Sequence, residues 1–527
     1  MVRTWAGRRV RTRVAVAGIT LGALVAAAPA VSASTLSGQA PIAGTANGAV
    51  RGLAEGAVNE FLGIPYAAPP VGALRWQPPQ PAASWSGVRD ATQFAPHCPQ
   101  VAGPFGEAST SEDCLYLNVF TPSGGGFHPV MVWIHGGALV TGESNDYDPT
   151  QLVEDGVTVV TINYRLGALG FLAHPALADA NGQSGDYGLM DQQAALRWVQ
   201  RNIASFGGNP RNVTIFGESA GGLSVLSQVA SPQAKGLFEK AIAESGSYNL
   251  TQTSLASAET AGEAFATEAG CASQTAACLR SLPVSTILAD QDASGYTPNI
   301  NSEVLPQSLG TAFATGDFNR VPIINGTNHD EWRLFVALSE LEGNPVTAAN
   351  YQAMISSTLG VPATVAAVIA AEYPLIAYPR ASVALGALGT DAIFACPALS
   401  IDQSVSKFVP TFAYEFNDEN APENFLPPVS FPYGAAHATE IQYLMALPTA
   451  AFPGTLSPQQ QQLAATMKGY CTNFAKRGFP ASSGTPFWPL FNSLTQPMQS
   501  LIPPTPQTET DFATTHKCAF WTALEAA

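Results

Sequence analysis

Five consecutive residues, Gly217-Glu218-Ser219-Ala220-Gly221, hold a hydroxyl between two glycines. Ahead of them runs Asn212-Val213-Thr214-Ile215-Phe216, β-branched and aromatic like a buried strand. Behind them, Gly222-Leu223-Ser224-Val225-Leu226-Ser227-Gln228 is apolar at helical spacing. A serine on a strand-turn-helix junction is a nucleophile elbow: the glycines allow the sharp bend and the hydroxyl stands clear above the strand end. The N–H of Ala220 then opens the helix, where it can donate to a developing oxyanion. The pattern is that of an enzyme with an activated serine.

Such a serine needs a base, and the base needs an acid to orient it, in the chain order serine, acid, histidine. His97, His128, His135 and His174 precede Ser219, and His329 abuts the acid candidates, which leaves His437 and His516. His437 lies in Gly434-Ala435-Ala436-His437-Ala438, a small-residue loop that lets a ring reach over a pocket. His516 stands two residues from Cys518 and is expected to be tied down near the terminus, so His437 is the candidate base. For the acid, Val321-Pro322-Ile323-Ile324-Asn325-Gly326 reads as a strand ending at a glycine turn. Thr327-Asn328-His329-Asp330-Glu331 would occupy the loop beyond it, with Asp330 and Glu331 equally well placed. Further oxyanion donors are expected from a small-residue turn after an early strand, and Ile134-His135-Gly136-Gly137-Ala138 supplies one directly after Trp133.

These groups require a scaffold. Residues 115–120, 129–134 and 157–164 read as strands, the last two as nearly continuous apolar runs covered on both faces. Residues 189–205 carry apolar side chains at helical spacing. Such alternation predicts an α/β fold with a mostly parallel sheet flanked by helices. Toward the C-terminus helices and proline-rich turns dominate, without repeats or a low-complexity linker, so one large domain with helical insertions around a pocket is expected.

With 46% hydrophobic and 12% charged residues in 527, the chain can bury a large core. Its start is different. Arg3, Arg8, Arg9, Arg11 and Arg13 precede an apolar stretch over 14–30, and Val31-Ser32-Ala33 fits a small-residue cleavage site. Residues 1–33 are therefore expected to be a secretory signal peptide, by the general or the twin-arginine route, and 34–527 the mature hydrolase domain. No later segment reads as a membrane span. Removing the leader lowers the basic count from 23 to 18 against 39 acids, so the net charge of −16 becomes −21. That balance argues against nucleic acid and anionic membranes as partners. Seven cysteines in an exported chain imply disulfides with one left over, and Cys471, in a helical segment, is the candidate free, buried thiol. No cysteine–histidine spacing suggests zinc, and the serine chemistry calls for no metal or cofactor.

The chain resembles the type-B carboxylesterases, the group of bacterial nitrobenzyl esterases, animal carboxylesterases and cholinesterases. The likeness rests on Phe61-Leu62-Gly63-Ile64-Pro65-Tyr66-Ala67-Ala68-Pro69-Pro70 and on Ser111-Glu112-Asp113-Cys114-Leu115-Tyr116-Leu117-Asn118. It continues through Asn163-Tyr164-Arg165-Leu166-Gly167, Gly188-Leu189-Met190-Asp191-Gln192 and Phe206-Gly207-Gly208-Asn209-Pro210 into the elbow. The resemblance implies an α/β-hydrolase fold with a gorge-like pocket and a Ser219–Glu331–His437 triad. It also implies oxyanion donors at Gly137, Ala138 and Ala220, and supporting roles for Glu218 and for Ser245, the latter as a buried serine behind the acid. Disulfides Cys98–Cys114, Cys271–Cys278 and Cys396–Cys518 follow from the same likeness.

The implied function is a secreted carboxylesterase acting on small-molecule or polymeric esters through an acyl-enzyme. Narrower versions are a lipase or a polyester, phthalate or carbamate ester hydrolase. The reading from another class is a non-catalytic neuroligin-like binding protein, which the complete serine, acid and histidine set argues against. Residues 99–113 contain no tryptophan to stack on choline, so choline esters are not expected. Residues 291–296 offer no counterpart of the aromatics that narrow a cholinesterase acyl pocket, and Leu139 stands where an aromatic often follows the oxyanion turn.

Overall fold

The computed structural model describes residues 40–292 and 296–526. The expected signal peptide, and part of the 291–296 segment, lie outside the described residues. Eleven strands form the central sheet. They are β1 (Leu53–Glu55), β2 (Val58–Pro65), β3 (Tyr116–Pro122), β4 (His128–Ile134), β5 (Thr158–Ile162) and β6 (Gly208–Glu218). After them come β7 (Lys240–Glu244), β8 (Ile323–Asn328), β9 (Thr411–Phe416), β10 (Met498–Leu501) and β11 (Gln507–Glu509). Their spatial order is β11-β10-β9-β8-β7-β6-β4-β5-β3-β2-β1. From β10 to β5 every pairing is parallel, and β11 and β3 to β1 add antiparallel edges.

Residue alternation along β4 builds two cores. Val130, Val132 and Ile134 pack on one face, against Leu196 and Val199 of α1 (Tyr187–Asn202) and Leu223 and Leu226 of α2 (Ala220–Ala230). Met131 and Trp133 face the other side, joined there by Phe412, Leu463, Met467 and Phe474. Three further helices shape the site: α3 (Arg333–Leu341), α4 (Ala381–Val405) and α5 (Pro458–Arg477). By length and composition α4 is apolar enough to cross a membrane, yet 67% of its apolar window is buried inside the protein. It is a core helix.

Two of the stretches that carry the resemblance have one structural reason. Arg165 grips Asp191 of α1 through Nε and Nη2 at 2.7 and 2.8 Å, and its Nη1 donates to Gln77 O at 3.0 Å. Burying such a pair with both partners satisfied fixes how the β5 exit docks on α1. Disulfides join Cys98 to Cys114, Cys271 to Cys278 and Cys396 to Cys518, as the resemblance implied. Cys471 is free and lies in α5, half-buried rather than fully so.

One strand boundary differs from the sequence reading. β8 does not stop at a turn on Gly326 but runs on to Asn328, paired with Phe416. Gly326 serves close packing: a Cβ there would meet the Tyr414 ring at 2.3 Å. Thr327 and Asn328 are therefore strand residues, and the acid loop begins at His329.

Candidate active site

Strand β6 ends at Glu218 and α2 begins at Ala220, leaving Ser219 alone at the bend with φ 58° and ψ −121°. A residue with a side chain rarely adopts that conformation, which stores roughly 1–3 kcal/mol of strain. Its neighbours must be glycine. A Cβ on Gly217 would lie 2.4 Å from Ile134 O, and one on Gly221 only 1.9 Å from the same atom. The elbow is thus pressed onto the end of β4, beside the Gly136-Gly137-Ala138 turn. Ser219 N–H donates to Glu244 O at 2.9 Å, anchoring the bend to β7.

The neighbouring turn is left-handed at three positions, Gly137 (φ 97°), Ala138 (φ 54°) and Leu139 (φ 60°). Its internal hydrogen bonds run from Val140 and Thr141 N–H to Gly137 O, both at 3.0 Å, and so do not use the N–H groups of Gly137 and Ala138. Ala220 N–H, the first of α2, likewise has no carbonyl one turn before it. Gly137 and Ala138 line the same cavity as Ser219, and Ala220 follows it directly in the chain. The turn is clamped from outside by Gln100 of the first disulfide loop. Its Oε1 accepts from Thr141 Oγ1 at 2.5 Å and Gly142 N–H at 2.7 Å. Sequence reasoning missed this clamp, because Gln100 acts from a loop carrying no motif.

His437 is buried in the loop after β9, and its Nδ1 meets Glu331 Oε2 at 2.5 Å. Phe335 of α3 and Phe394 of α4 hold the ring, with centroids 5.3 and 5.1 Å away. Nε2 has no hydrogen-bond partner and stands 3.2 Å from Glu218 Oε1. Burial alone would depress the imidazole, but the carboxylates of Glu218 and Glu331 outweigh it and raise His437 above its ordinary value. Burial, with Glu331 nearby, in turn raises Glu218.

Of the two acids that position alone left equal, it is Glu331, the one the resemblance names, whose carboxylate meets the histidine. Asp330 turns away, pairing with Arg333 at 2.8 Å and accepting from Ala435 N–H at 3.0 Å. Glu331 is held by Thr327 Oγ1 at 2.7 Å and by Asn328 N–H at 2.8 Å. The support expected from Ser245 is not made: its Oγ is buried without a hydrogen bond. The hydroxyl that donates to the acid is instead that of Thr327, at the end of β8. His516 is indeed tied down, between Asp391 and Glu415.

Ser219, Glu218, Gly136, Gly137, Ala138 and His437 open onto one cavity of about 400 Å³. Phe105, Phe335, Phe425, Leu338 and Ile441 make its walls largely apolar. Glu107 and Asp146 also line it, and no lysine or arginine does among the described residues. The arrangement can activate a hydroxyl, hold a negative oxygen and receive an uncharged organic group.

A strained serine at the carboxyl end of a parallel strand, served by acid and histidine loops from later strands, defines an α/β-hydrolase. The carboxylesterase family model matches residues 39–521; the chain belongs to that family and is a carboxylic ester hydrolase. It is 36% identical over 500 residues to the acylcarnitine hydrolase of Mus musculus, covering 88% of each chain. To the para-nitrobenzyl esterase of Bacillus subtilis (strain 168) it is 35% identical over 477 residues, covering 86% of this chain and 93% of that one. A solved PNB esterase structure aligns at a TM-score of 0.75 and 34% identity, over 90% of this chain and 98% of its own.

Proposed function

We propose that this esterase works through Ser219, His437 and Glu331 and acts outside the cell on uncharged esters. Ser219 Oγ attacks the ester carbonyl while His437 Nε2 takes its proton. Glu331 fixes the ring through Nδ1 and stabilises the imidazolium. The N–H groups of Gly137, Ala138 and Ala220 receive the tetrahedral oxyanion, each donor contributing about 3 kcal/mol to the transition state. His437 returns the proton to the departing alkoxide, leaving an acyl-serine. Water, deprotonated by the same nitrogen, then releases the acid and restores the hydroxyl. The observation carrying this reading is the Glu331–His437 bond, which leaves Nε2 unpartnered in the cavity that holds Ser219.

Export is supported by the basic-then-apolar leader and by three disulfides, bonds that persist in oxidising compartments. Substrate charge follows from the cavity: its walls are largely apolar and carry no lysine or arginine among the described residues, so a carboxylate-bearing ester would find no partner there. Nitrophenyl esters from acetate to palmitate, assayed with wild type beside Ser219→Ala, test the proposal. Turnover by wild type that disappears in the variant is expected, with the optimum acyl length reporting the space beyond the serine. Equal turnover by both proteins would overturn it.

A further inference from the structure

Behind the acid loop lies a second cluster that the esterase chemistry does not use. His329 follows the last residue of β8, Glu415 sits in β9, and His516 comes from the C-terminal segment. One donor atom from each lies within 4.8 Å of the other two. His516 Nε2 contacts Glu415 Oε1 at 2.6 Å, and His329 Nδ1 is 3.7 Å from that same oxygen. His329 Nδ1 is buried and has no hydrogen-bond partner.

The groups behind these donors are already oriented. His516 Nδ1 contacts Asp391 Oδ1 at 2.6 Å, which points Nε2 into the cluster. Asp391 is itself fixed by Tyr373 Oη, which donates to Oδ2 at 2.6 Å. Asn417 Nδ2 donates to Glu415 Oε2 at 2.9 Å, leaving Oε1 to face the two imidazoles. A carboxylate behind a histidine whose other nitrogen faces a shared point is the outer-shell pattern of metal-ligating imidazoles.

We propose that His329 Nδ1, Glu415 Oε1 and His516 Nε2 form a binding site for a divalent cation of the zinc class. Imidazole and carboxylate donors suit zinc, copper and nickel better than calcium or magnesium. Metal–donor bonds of about 2.0–2.2 Å place tetrahedral donors about 3.3 Å apart, so the Nε2–Oε1 contact opens slightly on binding. The proton held between Nε2 and Oε1 leaves to solvent while Nδ1–H stays on Asp391. The dication is then balanced by the Glu415 and Asp391 carboxylates, and His329, with its side chain 30% exposed, gives an entry path. The ion would tie the start of the acid loop, two residues from Glu331, and the C-terminal segment to β9.

The test uses the full chain without a polyhistidine tag, stripped with chelator and dialysed against zinc chloride. Retained zinc is measured by elemental mass spectrometry and affinity by calorimetry, with cobalt substitution for the ligand-field spectrum. Wild type is expected to keep about one zinc per chain. His329→Ala, which removes a side chain that makes no hydrogen bond through Nδ1, should bind at least about tenfold more weakly while melting normally. Glu415→Gln provides a second loss from another strand. No stoichiometric zinc on wild type, or equal zinc on wild type and His329→Ala, overturns the assignment.

Discussion

His437 and His516 are both buried imidazoles with a carboxylate at each nitrogen, and they do different things. At His437, Glu331 holds Nδ1 at 2.5 Å, while Glu218 stays 3.2 Å from Nε2 without a hydrogen bond. At His516 both nitrogens are engaged at 2.6 Å, by Asp391 and Glu415. The first ring opens onto the cavity with Ser219; the second is enclosed between β9 and the C-terminal segment. Charge around the two rings is alike, so charge alone does not make a general base. A base needs one nitrogen held and the other left for a substrate or nucleophile proton, beside space for the reacting group. The same residue with both nitrogens committed becomes a cross-link.

The largest effect expected from that contrast is on chemistry. His437→Gln should lower kcat/KM by about a million-fold, since activity without the base falls to what the oxyanion donors supply. Its denaturation midpoint should shift less than at His516, because Glu331 keeps its bonds from Thr327 and Asn328. His516→Gln should reverse the pattern in paired kinetics and urea melts. Breaking a buried, doubly paired group destabilises by about 3–5 kcal/mol, and kcat of the folded fraction should change far less than in the His437 variant. Similar kinetic losses at both histidines would erase the distinction.

A third, smaller effect concerns pH. Glu218 helps hold the imidazolium of His437, so neutralising it in Glu218→Gln should lower the histidine's pKa. Neutral imidazole is then available at lower pH, and the acid limb of the kcat/KM profile should move down, by about one unit. An unmoved or upward-moved limb contradicts this role. Smallest of all is strain: Ser219→Gly keeps the elbow but relieves its backbone, and should raise stability by about 1 kcal/mol in an inactive protein. A drop in stability would mean that the serine side chain supports the fold.

Much of the site was legible because its parts are contiguous. Strand, glycine, serine and helix lie in one run, and the close approach of Ile134 O to Gly217 and Gly221 forces those glycines into the sequence where they can be read. The parallel centre of the sheet was legible from the apolar runs of β4 and β5. On the antiparallel edge only β3 was read as a strand, whereas β1 and β2, with mixed patterns, were not. Residue types alone could not choose between Asp330 and Glu331. In the structure Glu331 meets His437 Nδ1 while Asp330 pairs with Arg333. Ser245 was assigned to the acid by likeness, whereas the hydroxyl that donates to Glu331 is that of Thr327. The His516 cluster was invisible for a different reason: its partners come from 101 and 125 positions away, a separation no motif records.

The central claim is that an ester's acyl group passes through Ser219 with His437 as base. Wild type mixed with nitrophenyl acetate, quenched in acid during turnover and mapped by peptide mass spectrometry, tests it directly. The account predicts one acetyl group on the peptide carrying Ser219, and none in Ser219→Ala or His437→Gln under the same conditions. Turnover with no acetyl group on that peptide at any quench time, or the same adduct in Ser219→Ala, would contradict it.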